Sequence, residues 1–126
     1  RAEAAGGNFV LTLGGDHSVA MGSIAGVLSA RPNLGIVWVD AHADINTPST
    51  SPSGNVHGMP VAFLMRLVDV NKFHGLEWLV GPEMAVPRLD PSRIVYIGLR
   101  QVDKGERNLL RRLGIRAYDM HQVDRL

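Results

Sequence analysis

Leu34-Gly-Ile-Val-Trp-Val39 is an unbroken run of strand length that ends on an acid, Asp40. A stretch that is apolar throughout, rather than alternating, suits a strand covered on both faces, and such strands belong to parallel sheets flanked by helices. Phe9–Leu13, closed by Gly14-Gly15, is a short apolar run with a strand signal, Ile94–Leu99 is a further strand of the buried type, and Ile115–Tyr118 reads as a fourth strand. Helix signals fall between them. Ser18 is a good N-cap for a helix carrying Val19, Met21, Ile24, Ala25, Val27 and Leu28, which Pro32-Asn33 breaks. Pro60 suits the first turn of a helix to about Val68. Asp103 and Glu106 form a capping box for a helix to Leu113, and Gly114 closes it. A last helix begins near His121, and Pro82, Pro87 and Pro91 break up residues 69–92. Strand alternating with helix implies an α/β fold with a mainly parallel sheet.

The composition agrees. A chain of 126 residues, 45% hydrophobic and 20% charged, suits one globular domain and excludes collagen-like or disordered classes. A net charge of +1 gives no basic footprint for nucleic acid. No apolar run reaches the roughly 18–20 residues of a membrane helix. With no cysteine, disulfides and thiolate metal sites are excluded and redox arguments leave the compartment open. The chain opens on Arg1 rather than Met, at what reads as the last turn of a helix stopped by Gly6-Gly7, and it closes on Val123-Asp-Arg-Leu126. Residues 1–126 are therefore expected to be a domain truncated at both ends.

Chemistry-bearing residues sit just past the carboxyl ends of the expected strands, where open α/β sheets bind ligands. They are Gly14-Gly-Asp-His-Ser18, Asp40-Ala-His-Ala-Asp44 and Ser53-Gly-Asn-Val-His-Gly58, the last inside a polar loop over residues 43–59. A lone D-x-H reads as a strand-end acid beside a chance histidine. If the strand continues through Asp40, His42 and Asp44, alternation sets all three side chains on one side. Two carboxylates and an imidazole, without sulfur, suit Mn²⁺, Fe²⁺, Co²⁺ or Zn²⁺, and the carboxylates favour Mn²⁺. His17 ends one strand as Asp40 ends another, which makes it a candidate fourth ligand. His57, between Gly54 and Gly58, suits proton transfer near neutral pH or simple solvation. His74 and His121 lack ligand company and read as structural or surface residues.

These segments resemble the arginases of the ureohydrolase superfamily. The resemblance rests on GGDHS at 14–18, WVDAHADINTP at 38–48, SGNVHGMPVAFL at 53–64 and VYIGLRQVDKGE at 95–106, in the family's order along nearly the whole chain. DAHAD alone indicates a ureohydrolase; INTP and SGN look like arginase rather than agmatinase. The resemblance implies a partial three-layer sandwich and conversion of L-arginine to L-ornithine and urea by a metal-bridging hydroxide. It implies two Mn²⁺ per full-length subunit. His17 and Asp44 match ligands of one ion, His42 matches a ligand of the other, and Asp40 matches a bridge. Asp44 also matches the acceptor of the hydroxide's hydrogen bond, and His57 the proton shuttle. Asn46, Ser53 and Asn55 match the residues that hold the substrate's α-carboxylate; Asp103, and Glu106 more remotely, match those for its α-amino group. A homotrimer or homohexamer and a cytoplasmic location, with mitochondria as the alternative, are further implications.

The departures matter as much. The family pattern adds a later D-x-D element and a later glutamate, and the late acids here, Asp119 and Asp124, stand in no such context. Four of six expected ligands are present, so these residues alone are expected to be inactive. Gln101 stands where the family commonly has Asp. In the family sheet the strands ending in His17 and Asp40 are not neighbours. The isolated chain is therefore expected to be unstable, or to close the gap with a pairing foreign to the family. An agmatinase-like or other guanidino ureohydrolase, or a non-catalytic metal-binding protein, are the alternative functions.

Overall fold

The computed structural model describes residues 1–84 and 86–125. Three parallel strands form one sheet in the order β1-β2-β3: β1 Ile36–Val39, β2 Ile94–Leu99 and β3 Arg116–Asp119. β1 pairs with β2 from Ile36↔Ile94 to Val39↔Ile97, and β2 pairs with β3 from Val95↔Arg116 onward. The helices are α1 Ala2–Ala5, α2 Val19–Ala30, α3 Pro60–Leu64, α4 Lys104–Leu113 and α5 Met120–Val123.

Trp38, Ile94 and Tyr96 turn one sheet face onto a core built with Ala25 and Leu28 of α2, all of α3, and Leu109 and Leu110 of α4. The opposite face carries Val37 and Val39, 62% and 74% exposed, and an exposed Tyr118. Helices thus cover one face of the sheet among the described residues, which is the partial form of the expected sandwich.

The local signals explain most boundaries. The Asp103 carboxylate accepts from the Glu106 N–H, Glu106 reaches back to the Asp103 N–H, and Gly114 closes α4 at φ +64°. Ser18 precedes α2 but its hydroxyl makes no cap bond; instead the Asp16 carboxylate accepts from the Ser18 N–H at 2.8 Å. α3 ends four residues earlier than its sequence suggests, because Arg66 takes a left-handed φ of +53° and breaks the ladder. After α1 it is Gly7, at φ +82°, that takes the left-handed turn, while Gly6 stays helical.

Phe9–Leu13 departs from expectation. It forms no strand, and Phe9 and Leu13 are 90% and 86% exposed. A strand is stable only against a partner ladder, and β1 pairs with β2 while offering no second partner to this segment. Among the described residues the segment stays unpaired.

Gly98 sits at a bulge in β2 between Ile97 and Leu99, with φ +89°. A side chain there is forced into a region that L-residues avoid. Gly98→Ala is expected to cost about 1–2 kcal/mol, read as a lower urea midpoint at unchanged m-value. An unchanged midpoint would show that the bulge relaxes freely.

Candidate metal centre and adjoining cleft

The segment after β1 is shaped by its own polar groups. The Asp40 N–H extends the ladder by one bond, to the Ile97 carbonyl at 3.1 Å. Asp40 Oδ1 then accepts from the His42 N–H at 2.9 Å, and the Ala41 carbonyl accepts from both Arg100 and Gln101. The extended conformation therefore stops at Asp40, and alternation through His42 and Asp44 does not occur. Asp44 instead takes φ +48°. Three bonds hold this turn: Tyr96 Oη donates to the Ala43 carbonyl at 2.7 Å, Val61 N–H to the Asp44 carbonyl at 3.0 Å, and Ile45 N–H to Glu106 Oε1 at 3.3 Å.

The turn points Asp44 at the same place as Asp40 and His17. One ligand-type atom from each of these three residues lies within 4.8 Å of the others. His17 Nδ1 is 3.0 Å from Asp40 Oδ2 and 2.5 Å from Asp44 Oδ2. His17 arrives from the segment before α2, and its ring rests on Trp38 at a centroid distance of 4.7 Å. His42 stands on the other side of Asp40, its Nδ1 3.4 Å from Oδ1, with its Nε2 3.2 Å from Gln101 Oε1. The four sequence-predicted ligands thus form a group of three with a fourth beside it, and Asp40 faces both imidazoles.

Asp44 Oδ2 is buried and has no hydrogen-bond partner among the described residues, although His17 Nδ1 lies against it without hydrogen-bond alignment. Burial raises the Asp44 carboxyl above the usual range, and the neighbouring His17 works against that rise. An orphaned buried oxygen needs a proton or a cation. Two carboxylates and an imidazole aimed at one place fit a divalent cation of hard or borderline type.

A cleft of about 310 Å³ opens beside this group. His42, Asp44, Asn46, Ser53, His57, Asp103 and Glu106 line it, as do Ser51 and Gln101. His17, Asp40 and Asn55 are not part of its lining. His57 is exposed on a 3₁₀ turn, Val56–Gly58. Buried Asn46 donates to Asp103 Oδ2 at 2.7 Å and accepts from Thr50 Oγ1 at 2.8 Å. Ser53 Oγ accepts from the Asn55 N–H at 3.3 Å. Thr50 and Gly105 escaped the sequence reading. A Cβ on Gly105 would lie 2.8 Å from Thr50 Cβ and 3.1 Å from Asn46 Oδ1, so glycine is what lets α4 approach this loop. A glycine in the first turn of a good helix was the available signal. His74, 3.5 Å from Glu77, and His121 are exposed and apart from the site. Asp119 caps α5.

Glu106 is buried, and both its oxygens are engaged by backbone donors, Ile45 N–H and Asp103 N–H. It positions Asp103 and the Asp44 turn together. Glu106→Gln sets an amide N–H against one of those donors and is expected to cost about 1–3 kcal/mol. Burial raises the Glu106 carboxyl above its ordinary range, against the opposing backbone bonds. A native value above the unfolded one means that the folded chain holds the proton more tightly. That contribution is complete below the unfolded value of about 4.3 and is lost as pH rises through the native value. Urea midpoints taken upward from about pH 4.3 should show this decline in the parent chain and lack the Glu106 part of it in Glu106→Gln. An identical slope in both would remove Glu106 as its source.

The model of the arginase family matches residues 1–126. Over 124 residues the chain is 52% identical to the arginase of Emericella nidulans, covering 94% of this chain and 37% of that protein. The cold-adapted arginase of the yeast Glaciozyma antarctica superposes with a TM-score of 0.83 at 47% identity, over 98% of this chain and 42% of that one. The Entamoeba histolytica arginase solved in complex with L-ornithine superposes at a TM-score of 0.78 and 37% identity, over 99% of this chain and 42% of that one. The chain spans about two-fifths or less of the length of these relatives. With residues 1–126 matched by the family model, the chain belongs to the arginase family.

Proposed function

We propose that this chain supplies part of the active site of a manganese-dependent hydrolase that converts L-arginine to L-ornithine and urea. The observation that carries the proposal is the meeting of His17, Asp40 and Asp44, with His42 on Asp40's other oxygen, beside a cleft that His42 and Asp44 help to line. His17 and Asp44 would hold one ion, His42 a second, and Asp40 would lie between them. A divalent metal bound there would acidify water toward the neutral range and so supply the strong nucleophile that a resonance-stabilised guanidinium requires. The Asp44 carboxylate oxygen not engaged with the ion would accept a hydrogen bond from that water. His57, on the cleft wall, delivers a proton to the departing amine.

Other residues of the cleft lining suit an amino acid. Asn46 and Ser53 bring neutral donors for a carboxylate, and the Asp103 carboxylate suits an ammonium. Agmatine has no carboxylate to meet the first two. In a polypeptide that joins this chain to the later D-x-D element, kcat/KM for L-arginine is expected to exceed that for agmatine by at least about 100-fold. Equal values, or a preference for agmatine, would favour another guanidino ureohydrolase. Manganese binding without urea from either substrate would favour a non-catalytic protein.

A further inference from the structure

We propose that Gln101 is a positioning residue for His42: its side-chain carbonyl takes the proton of His42 Nε2 and so leaves Nδ1 as a lone pair facing the Asp40 side. The proposal rests on the reading of His42 as a metal ligand.

The ring of His42 meets two polar groups among the described residues. Nε2 lies 3.2 Å from Gln101 Oε1, and Nδ1 lies 3.4 Å from Asp40 Oδ1. A neutral imidazole carries one proton, and only one of these contacts can use it. Asp40 Oδ1 already accepts from the His42 backbone N–H at 2.9 Å, within the better distance range for a hydrogen bond. The Gln101 carbonyl has no other donor among the described residues. A proton on Nε2 therefore satisfies Gln101 and turns the Nδ1 lone pair toward a carboxylate. Two electron-rich atoms then face each other, which is favourable when they share a cation.

The backbone prepares this contact independently of the side chain. The Gln101 N–H donates to the Ala41 carbonyl at 2.9 Å, alongside Arg100, one residue before the histidine. The Gly98 bulge precedes both. Gln101 is itself exposed, so removing its amide sacrifices little packing. An amide also keeps the same acceptor at every working pH. Partners of this kind on the second nitrogen of a ligating imidazole fix its tautomer and orientation, and losing one weakens metal binding about 10–100-fold.

The test uses the full chain labelled with ¹⁵N in its histidine rings, at about pH 8, where an ordinary imidazole is neutral. Long-range ¹H–¹⁵N correlations report the tautomer of His42, assigned by its disappearance in His42→Ala. The parent chain is expected to show the Nε2–H form, and Gln101→Leu a mixture or the Nδ1–H form, with an unchanged thermal midpoint. Calorimetry with Mn²⁺ should show affinity weakened at least about 10-fold in Gln101→Leu and restored in Gln101→Glu, whose carboxylate accepts from Nε2. An Nδ1–H tautomer in the parent chain, or a Gln101→Leu variant with parental tautomer and affinity, overturns the proposal. If His42→Ala leaves Mn²⁺ affinity unchanged, it is the ligand reading beneath it that fails. The tautomer of the parent chain decides the matter even where a variant does not fold.

Discussion

Asp40→Ala is expected to weaken Mn²⁺ binding by at least about 100-fold, more than any other single substitution in the chain. The reason is its place between two imidazoles. Oδ2 lies 3.0 Å from His17 Nδ1, and Oδ1 lies 3.4 Å from His42 Nδ1. Removing it takes charge from both sides of the centre, and it also frees the His42 N–H that Oδ1 anchors. His17→Ala and Asp44→Ala each remove one contributor to the three-residue group and leave Asp40 in place. His74→Ala is the control, because its contact with Glu77 is exposed and apart from the centre. Calorimetry on the full chain reads all four. Parental affinity in Asp40→Ala would put the bound ion somewhere else.

The Asp44 carboxyl adds a pH dependence to the same measurement. It must be ionised to hold a cation, and burial raises its proton affinity. Metal binding is therefore expected to strengthen as pH rises through a range above that of an ordinary aspartate. The metal-free chain loses stability over the same rise, because its folded form prefers the proton.

The elements that sequence reading recovers are those whose causes are local. Asp103, Glu106 and Gly114 are enough to begin and end α4, and each bond lies within one helical turn of the residues that make it. The apolar runs that became β1 and β2 also carry their own reason, whereas β3, Arg116–Asp119, is mostly exposed and has no such run. Phe9–Leu13 has the same apolar character but no partner ladder, and pairing is a property of two segments rather than one. The acidic centre was reached along two routes. An expected strand end before each of them, and then resemblance to a family, brought His17 together with Asp40, although Phe9–Leu13 forms no strand and no spacing rule links positions 23 residues apart in the chain. Strand alternation placed Asp44 on the correct side for a reason the structure does not support. A left-handed turn, held by Tyr96, Val61 and Glu106, does that work. Each of those anchors lies 17 or more residues away from the group it holds, beyond the reach of any window of local pattern.

Arg66→Met is expected to cost about 2–4 kcal/mol while leaving the metal-binding groups in place. Arg66 ends α3 with φ +53°, and its half-buried guanidinium faces backbone carbonyls rather than an acid. It donates to the Phe63 carbonyl at 2.8 Å, to that of Leu79, and to that of Val86 at 3.4 Å. One planar fork therefore ties the end of α3 to the irregular segment before β2, where Leu79 and Leu89 are fully buried. Burial lowers the guanidinium's proton affinity, yet arginine stays charged, so these remain charge-assisted bonds. Methionine keeps the apolar stem and removes all three hydrogen bonds, leaving carbonyls short of partners. Arg66→Lys should recover part of the loss, because an ammonium can reach one or two carbonyls but cannot match the fork. The thermal midpoint is expected to fall by roughly 8–15 °C in Arg66→Met, with a smaller drop in Arg66→Lys. Because α3 also holds Asp44 through the Val61 N–H, Mn²⁺ added at saturation should recover part of the lost midpoint. A midpoint unmoved by Arg66→Met would mean that water serves those carbonyls as well as the guanidinium does.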